Sequence, residues 1–331
     1  MAPFLWALAA LAIISPVASA RAETTPLQTP NNSIGDVAEN GVDFYSKIGR
    51  QAGSRRLLEQ SCATQLIAEG DPAPCGRYPF MASIQDRMDV HKCGGVLIDP
   101  EWILTAAHCV DEVAVRRIVV GACDLGNYGT GAVEEYQLQA DMGIKIHPNW
   151  TGTVGDGNDL ALIKLDGRSN IDPVKILNDL IIPPSTLLAV AGWGDQETKC
   201  PQSRHLQHAA RMELMAQKQC RSIWAPEVVI QDSMMCTVGD QSVCKGDSGG
   251  PLLLADAPGG DLRAGMASKD LLAGIVSFGN GSNCEIHMSG VYTRVASFRE
   301  WIDAMLGDVC LKCSSCSIAQ AHLLAIISGQ W

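Results

Sequence analysis

The chain has no excess of basic charge. It carries 25 Lys and Arg against 36 Asp and Glu, a formal net charge of −11. A nucleic-acid footprint needs a basic surface, so the composition argues against that partner. No run of about twenty apolar residues lies inside the chain, so no internal segment spans a membrane as a helix. No segment repeats at a fixed period. The bias of a disordered chain is missing too, with 47% hydrophobic and 18% charged residues. The 331 residues suffice for one large domain or two small ones.

The first twenty residues, MAPFLWALAALAIISPVASA, hold an apolar run from Leu5 to Ile14. It is short for a span, and Ala18-Ser19-Ala20 fits the small-x-small cleavage pattern of a secretory signal. Residues 1–20 are expected to be a signal peptide cut after Ala20, although no Lys or Arg stands near Met1. Thirteen cysteines agree with secretion, because an oxidising compartment lets them pair. The odd number leaves at least one unpaired or joined to another chain. Asn31, Asn149 and Asn280 each open an Asn-x-Ser/Thr sequon, compatible with a secreted glycoprotein.

Residues 21–66, rich in Pro, Thr, Asn, Gln, Gly and Ser, look like a poorly structured leader. From Ile67 onward the pattern changes to short apolar runs broken by Gly, Asp and Pro. GGVLIDPEWILTAA, RRIVVGA, LALIKL, TLLAVAGWG, GPLLLA and LLAGIVSFG read as strands of an all-β sandwich or barrel. One helix is expected near the end, where Val295, Phe298, Trp301, Ile302 and Met305 share a face and Ser297 and Glu300 have capping-box spacing. The β body with its closing helix runs over about 67–308, and residues 309–331 form a Cys-containing apolar tail.

A serine hydroxyl is a weak nucleophile at neutral pH. It needs a base to take its proton, and the base needs an orienting partner. LTAAHCV places His108 at the end of an apolar run, GNDLALIKL places Asp159 at the head of another, and CKGDSGGP places Ser248 in a tight turn. Singly, each residue reads as an ordinary loop or cap residue. In the order His, Asp, Ser, they read as a catalytic set.

The chain resembles the chymotrypsin-fold serine proteases, the trypsin/chymotrypsin superfamily. TAAHC, NDLALIKL, GWG at 192–194, GDSGGP, SFG at 277–279 and GVYTRV at 290–295 carry the resemblance, which covers roughly Ile67 to Leu306. It implies two six-stranded antiparallel β-barrels with the active site between them and a C-terminal helix. It implies that Ser248 attacks the scissile carbonyl, His108 moves the proton and Asp159 orients His108, with the N–H groups of Gly246 and Ser248 as oxyanion hole. No cofactor or metal is implied. The expected partners are protein or peptide substrates and protein inhibitors.

The resemblance also implies bridges Cys93–Cys109, Cys220–Cys236 and Cys244–Cys284. Leu188 and Leu254 stand where many relatives carry a further bridge, a joint replacement that fits an apolar contact. Of Cys62, Cys75, Cys123, Cys200, Cys310, Cys313 and Cys316, Cys75 is a candidate partner for Cys200, and Cys62 for a tether of the leader. The C-x2-C-x2-C spacing of CLKCSSC would suit zinc or an iron–sulfur cluster, but no fourth ligand follows, so disulfide chemistry is preferred. For the apolar tail, packing on the body is preferred to a lipid anchor.

The resemblance implies that Ser242, six residues before the nucleophile, lies at the base of the substrate pocket, with Gly279 and Gly290 at its walls and Ser277 beside it. Trypsin-like relatives have Asp at that base, so Ser242 points to cleavage after large apolar or aromatic residues. Asp240 could still swing in, and Lys245 puts a positive charge at the pocket mouth. In such enzymes a freed N-terminus pairs with the Asp before the nucleophile, here Ile67 with Asp247. Leu66 precedes Ile67 in place of the usual Arg or Lys, which suggests autoactivation, and Glu69 departs from the usual Gly. Two readings stay open beside the active endopeptidase: trypsin-like specificity, and a non-catalytic homologue that binds or regulates.

Overall fold

The Val, Ile and Leu runs become strands because branched side chains pack well on a pleated surface, and the Gly, Asp and Pro between them turn the chain. The computed structural model describes residues 70–111, 114–128, 132–138, 143–195, 203–279 and 290–307. The signal, the leader, Ile67, Cys62, Cys200, Cys284 and the tail with Cys310, Cys313 and Cys316 lie outside these residues. The first strands are β1 (Asp71–Pro72), β2 (Met81–Gln85), β3 (His91–Asp99), β4 (Trp102–Thr105), β5 (Arg117–Val120), β6 (Glu134–Gln137), β7 (Ile144–Ile146) and β8 (Ala161–Lys164). There follow β9 (Lys175–Ile176), β10 (Leu187–Gly192), β11 (Gln207–Leu214), β12 (Met234–Val238), β13 (Pro251–Leu254), β14 (Leu271–Gly279) and β15 (Gly290–Arg294). The helices are α1 (His108–Asp111), α2 (Gln217–Trp224) and α3 (Arg299–Leu306).

Strands β6-β5-β2-β3-β4-β8-β7 make a seven-stranded sheet that curls into a half-barrel. Strands β11-β10-β13-β14-β15-β12 follow in order, and β12 pairs back on β11, closing a six-stranded barrel. β1 adds to β11, and β9 runs parallel to β14. The expected all-β class with a closing helix is therefore present. The N-terminal sheet differs from the expected six strands by having seven.

Met81, Ile84, Leu97, Ile103, Leu104, Ile118, Leu160 and Leu162 fill the N-terminal sheet and are fully buried. Each such side chain contributes about 1.5–3 kcal/mol relative to exposure. The closed barrel holds Leu188, Val190, Met212, Met235, Leu252, Val276 and Tyr292, and Leu254 packs against this cluster. The two leucines that replace a bridge therefore belong to one apolar cluster.

The closing helix reaches the other sheet. Val295, Phe298, Trp301 and Ile302 are buried in the cluster that fills the N-terminal sheet, and His147 meets Phe298 and Trp301 edge-on at 5.0 and 5.1 Å. The expected capping box does not form. Residues Val295–Phe298 make a 3-10 turn, so Ser297 falls inside it and Phe298 takes the N-cap position with no side-chain bond. At the other end Gly307, at φ 78°, returns its N–H to the carbonyls of Ala304 and Asp303.

Cys93–Cys109 and Cys220–Cys236 form as expected, and Cys244 is disulfide-bonded. Cys75 pairs with Cys123, not with Cys200. The reason is backbone pairing: Ala73 N–H donates to Leu206 O at 2.9 Å, and Leu206 N–H donates to Cys123 O at 2.7 Å. Both segments are thereby laid against Leu206, which brings the Cα atoms of Cys75 and Cys123 to 5.2 Å.

A long connection between β13 and β14 carries three 3-10 turns, Pro258–Gly260, Leu262–Ala264 and Ala267–Lys269. Arg77 holds it to the start of the body. Its guanidinium donates to both oxygens of Asp270 at 2.5 and 3.0 Å, to Leu262 O at 2.6 Å and to Asp256 O at 2.9 Å. Asp256 N–H completes the shell of Asp270 at 2.8 Å.

Candidate active site

β4 ends at Thr105, and the buried pair Ala106-Ala107 leads into the single turn α1 that begins with His108. Asp159 stands just before β8, the neighbour of β4 in the sheet. One carboxylate oxygen, Oδ1, accepts the His108 backbone N–H at 3.0 Å, and Oδ2 lies 2.8 Å from His108 Nδ1. A carboxylate only accepts, so Nδ1 carries the hydrogen and neutral His108 presents Nε2 as a base.

Asp159 is fully buried, and the closed barrel clamps it from the far side. Ser277 Oγ on β14 donates to Asp159 Oδ2 at 2.5 Å, and Thr293 Oγ1 on β15 donates to its carbonyl at 2.9 Å. Ser277, expected beside the substrate pocket, turns its hydroxyl to the Asp159 carboxylate. Thr293 was not anticipated, because nothing in GVYTRV alone says which hydroxyl faces a residue 134 positions earlier.

Ser248, half-buried, is held to the first sheet by its carbonyl, which accepts Gly94 N–H at 2.8 Å. Gly94 follows Cys93, whose bridge to Cys109 fixes the residue next to His108. The nucleophile candidate and the base candidate are thus anchored on adjacent residues of β3. Around Ser248 the chain turns tightly. Asp247 N–H donates to Cys244 O, Gly250 N–H to Asp247 O and Gly249 N–H to Val276 O, at 3.0, 2.9 and 2.8 Å. Among the described residues the N–H groups of Gly246 and Ser248 find no acceptor, which leaves two donors on one turn. The turn needs glycine, since Gly246 has φ 102° and Gly249 φ 77°.

A buried chain of hydrogen bonds supports that turn. His91 Nε2 lies 3.0 Å from Gly246 O, Ser83 Oγ lies 2.8 Å from His91 Nδ1, and Gln85 Nε2 donates to Ser83 Oγ at 3.1 Å. Burial pushes His91 down to about 4, against the bond to Gly246, so the ring is neutral at pH 7. A carbonyl accepts only, so Nε2 carries the proton. Sequence reasoning missed His91. Its one signal is an ionisable ring on a strand whose neighbours are apolar.

Asp247 is 3% exposed. Its oxygens accept Gly194 N–H at 2.8 Å and Cys244 N–H at 2.9 Å. Among the described residues no cation reaches it. Burial pushes its carboxyl up to about 6; the two backbone bonds pull it down, and nearby Asp195 raises it further. Its expected partner, Ile67, lies outside the described residues.

Ser242 is buried, with its hydroxyl 3.1 Å from Val243 O. Asp240 is exposed and lines a cleft with Asp71, His208 and Arg263. A side chain at Gly279 would meet nothing within 4 Å, whereas one at Gly290 would meet the Tyr292 hydroxyl at 3.1 Å. Lys245 is exposed, and its carbonyl accepts Asp195 N–H at 2.7 Å. Cys93, His108 and Cys109 lie close together, but both sulfurs are spent in their bridge and offer a metal no thiolate.

The family profile described as Trypsin matches residues 67–302. Human kallikrein-5 is 30% identical over 91% of this chain and 95% of its own length. Human granzyme M is 31% identical over 75% of this chain and 91% of its own length. Rat vitamin K-dependent protein C is 30% identical over 74% of this chain, which spans only 53% of that longer relative.

Proposed function

Because this chain belongs to the trypsin family of serine proteases, we propose that it is a secreted endopeptidase that cuts peptide bonds through a Ser248 acyl-enzyme. The observation that carries this reading is the His108–Asp159 contact at 2.8 Å, closed off by Ser277. His108 Nε2 takes the Ser248 hydroxyl proton while Oγ bonds to the scissile carbon. The carbonyl oxygen becomes an anion facing the N–H groups of Gly246 and Ser248. His108 then gives the proton to the leaving amine as the C–N bond breaks, and water reverses the sequence to release the acid. Asp159 keeps Nδ1 protonated throughout and stabilises the transient imidazolium.

The enzyme is made as a zymogen, its leader ending at Leu66. Asp247, buried with two backbone donors and no cation among the described residues, supports this reading, since the ammonium of a freed Ile67 supplies the missing charge. Cutting after Leu66 suits a protease that accepts large apolar residues, and so does a pocket base made by neutral Ser242. Autoactivation follows from the two together.

A fluorophosphonate probe tests the assignment. Processed protein is expected to be labelled at Ser248, and the Ser248→Ala variant is not. Equal labelling of both would sink it, and no labelling of either would favour the non-catalytic homologue. In the same preparation, peptides differing only before the scissile bond are expected to rank Leu, Phe and Tyr above Arg and Lys.

A further inference from the structure

Away from Asp159 and Ser248, a cleft of about 800 Å³ opens between the β9–β10 connection, the end of β11 and the start of α3. Its apolar lining is Leu180, Ile181, Ile182, Pro184, Leu214 and Met215. Ile181 is 86% exposed and Leu180 57%. Two large aliphatic side chains left that open at the edge of a cleft mark a surface that gains by being covered.

Both arginines of the lining are engaged within the fold. Arg294 donates to the carbonyls of Asp232, Leu180 and Met234. Arg299 donates to Asp303 and to the side chain of Asn178. With its cations engaged the cleft offers an anion no free partner, while Leu180 and Ile181 stay open, so the occupant its wall fits is an apolar segment without acidic groups.

The chain carries such a segment. Ile318–Trp331 contains no Asp, Glu, Lys or Arg and includes Ile318, Leu323, Leu324, Ile326, Ile327 and Trp331. The described body ends at Gly307, directly after α3, and Ser297, Arg299 and Glu300 from the start of that helix region line the cleft. The eight residues of α3 are about 12 Å long. The connecting residues 308–317 can extend to about 35 Å, enough to double back. Being on the same chain, the segment meets the cleft at a high effective concentration, which an outside partner has to match.

We propose that Ile318–Trp331 docks in this cleft and covers Leu180 and Ile181. The tail is then a built-in occupant of the protease body, and the cleft becomes available to another protein only when the tail is displaced. This inference does not depend on catalysis.

The test uses the full chain with the photo-cross-linking residue p-benzoylphenylalanine at position 181, repeated at 180, with position 88 on the β2–β3 turn as control. Met88 is 76% exposed and belongs to the other sheet. After irradiation, peptide mass spectrometry is expected to find 318–331 joined to position 181 or 180 of the same chain, several-fold above position 88. A tail carrying Leu323→Glu and Leu324→Glu is expected to lose that product while the thermal midpoint of the body stays put. Cross-links only to a second copy, only to added lipid vesicles, or equal at 181 and 88 would overturn the proposal.

Discussion

Asp270 and Asp247 are both buried, and the fold treats them in opposite ways. Asp270, fully buried, receives two guanidinium donors from Arg77 and the N–H of Asp256. Among the described residues Asp247 receives only the N–H groups of Gly194 and Cys244, and its charged neighbour Asp195 has the same sign. A buried carboxylate needs a partner, because desolvation otherwise favours its neutral form. The first site is finished by the chain as synthesised. The second is finished, on the reading above, only by a cut before Ile67. Arg77 lies ten residues after Ile67, and between them β1 and the Cys75–Cys123 bridge fix the segment to the body. One end of a short lever is therefore anchored before the other end acquires its charge.

The comparison breaks most visibly at Arg77. Arg77→Ala would leave Asp270 as unpartnered as Asp247, and breaking a buried pair by removing one member costs about 3–5 kcal/mol. Urea denaturation at pH 7 is expected to show a loss of that size, with part recovered when Asp270→Asn is added. A loss under about 1 kcal/mol would mean that solvent reaches the site and that the two aspartates do not differ as described.

Asp247 gives the next largest effect, and its sign depends on pH. Its carboxyl is raised to about 6 in the folded, uncleaved chain. Between the ordinary carboxylate range near 4 and that value, the native state binds more protons than the unfolded state. The contribution of Asp247 to stability is therefore best at low pH and is lost as pH rises toward 6. Uncleaved protein, kept so by Ser248→Ala, is expected to lose about 2–3 kcal/mol across this window relative to the same protein with Asp247→Asn. Parallel stability curves for the two would remove the argument for a missing cation.

Much of this was legible in local strings, and the failures share a cause. Strands are written in stretches of five to ten residues, so apolar runs and turn residues were enough to find them, while His108, Asp159 and Ser248 stood out only through their order and the family strings around them. Leu188 and Leu254 could be paired only through the resemblance, which marks both as positions of a bridge; they lie on the neighbouring strands β10 and β13. Arg77 and Asp270 are 193 residues apart, and no periodicity connects them. Cys75 chose Cys123 because two backbone segments share Leu206, a fact of register that cysteine spacing does not contain. Ser297 had capping-box spacing, but the 3-10 turn before α3 displaced it. The bond from Ser277 to Asp159 spans 118 residues, and no local string announces it.

The smallest effect sharpens the comparison further. Asp195 is the like-charged neighbour that raises the carboxyl of Asp247, and its own carboxyl is raised by burial and lowered by Lys245. A single Asp195→Asn substitution would mix these influences. A double-mutant cycle of Asp195→Asn with Asp247→Asn isolates the repulsion between the two carboxylates. In uncleaved protein the coupling is expected to be unfavourable by about 0.5 kcal/mol at pH 7, in the range of partly solvated charge pairs. It should vanish at pH 3, where both groups are protonated, and shrink with added salt because Asp195 is only partly buried. Cleavage before Ile67 should shrink it as well, since an ammonium beside Asp247 would neutralise the charge that Asp195 opposes. Coupling unchanged by cleavage would mean that the freed N-terminus goes elsewhere, and that Asp247 stays in the cut protein the unpaired counterpart of Asp270.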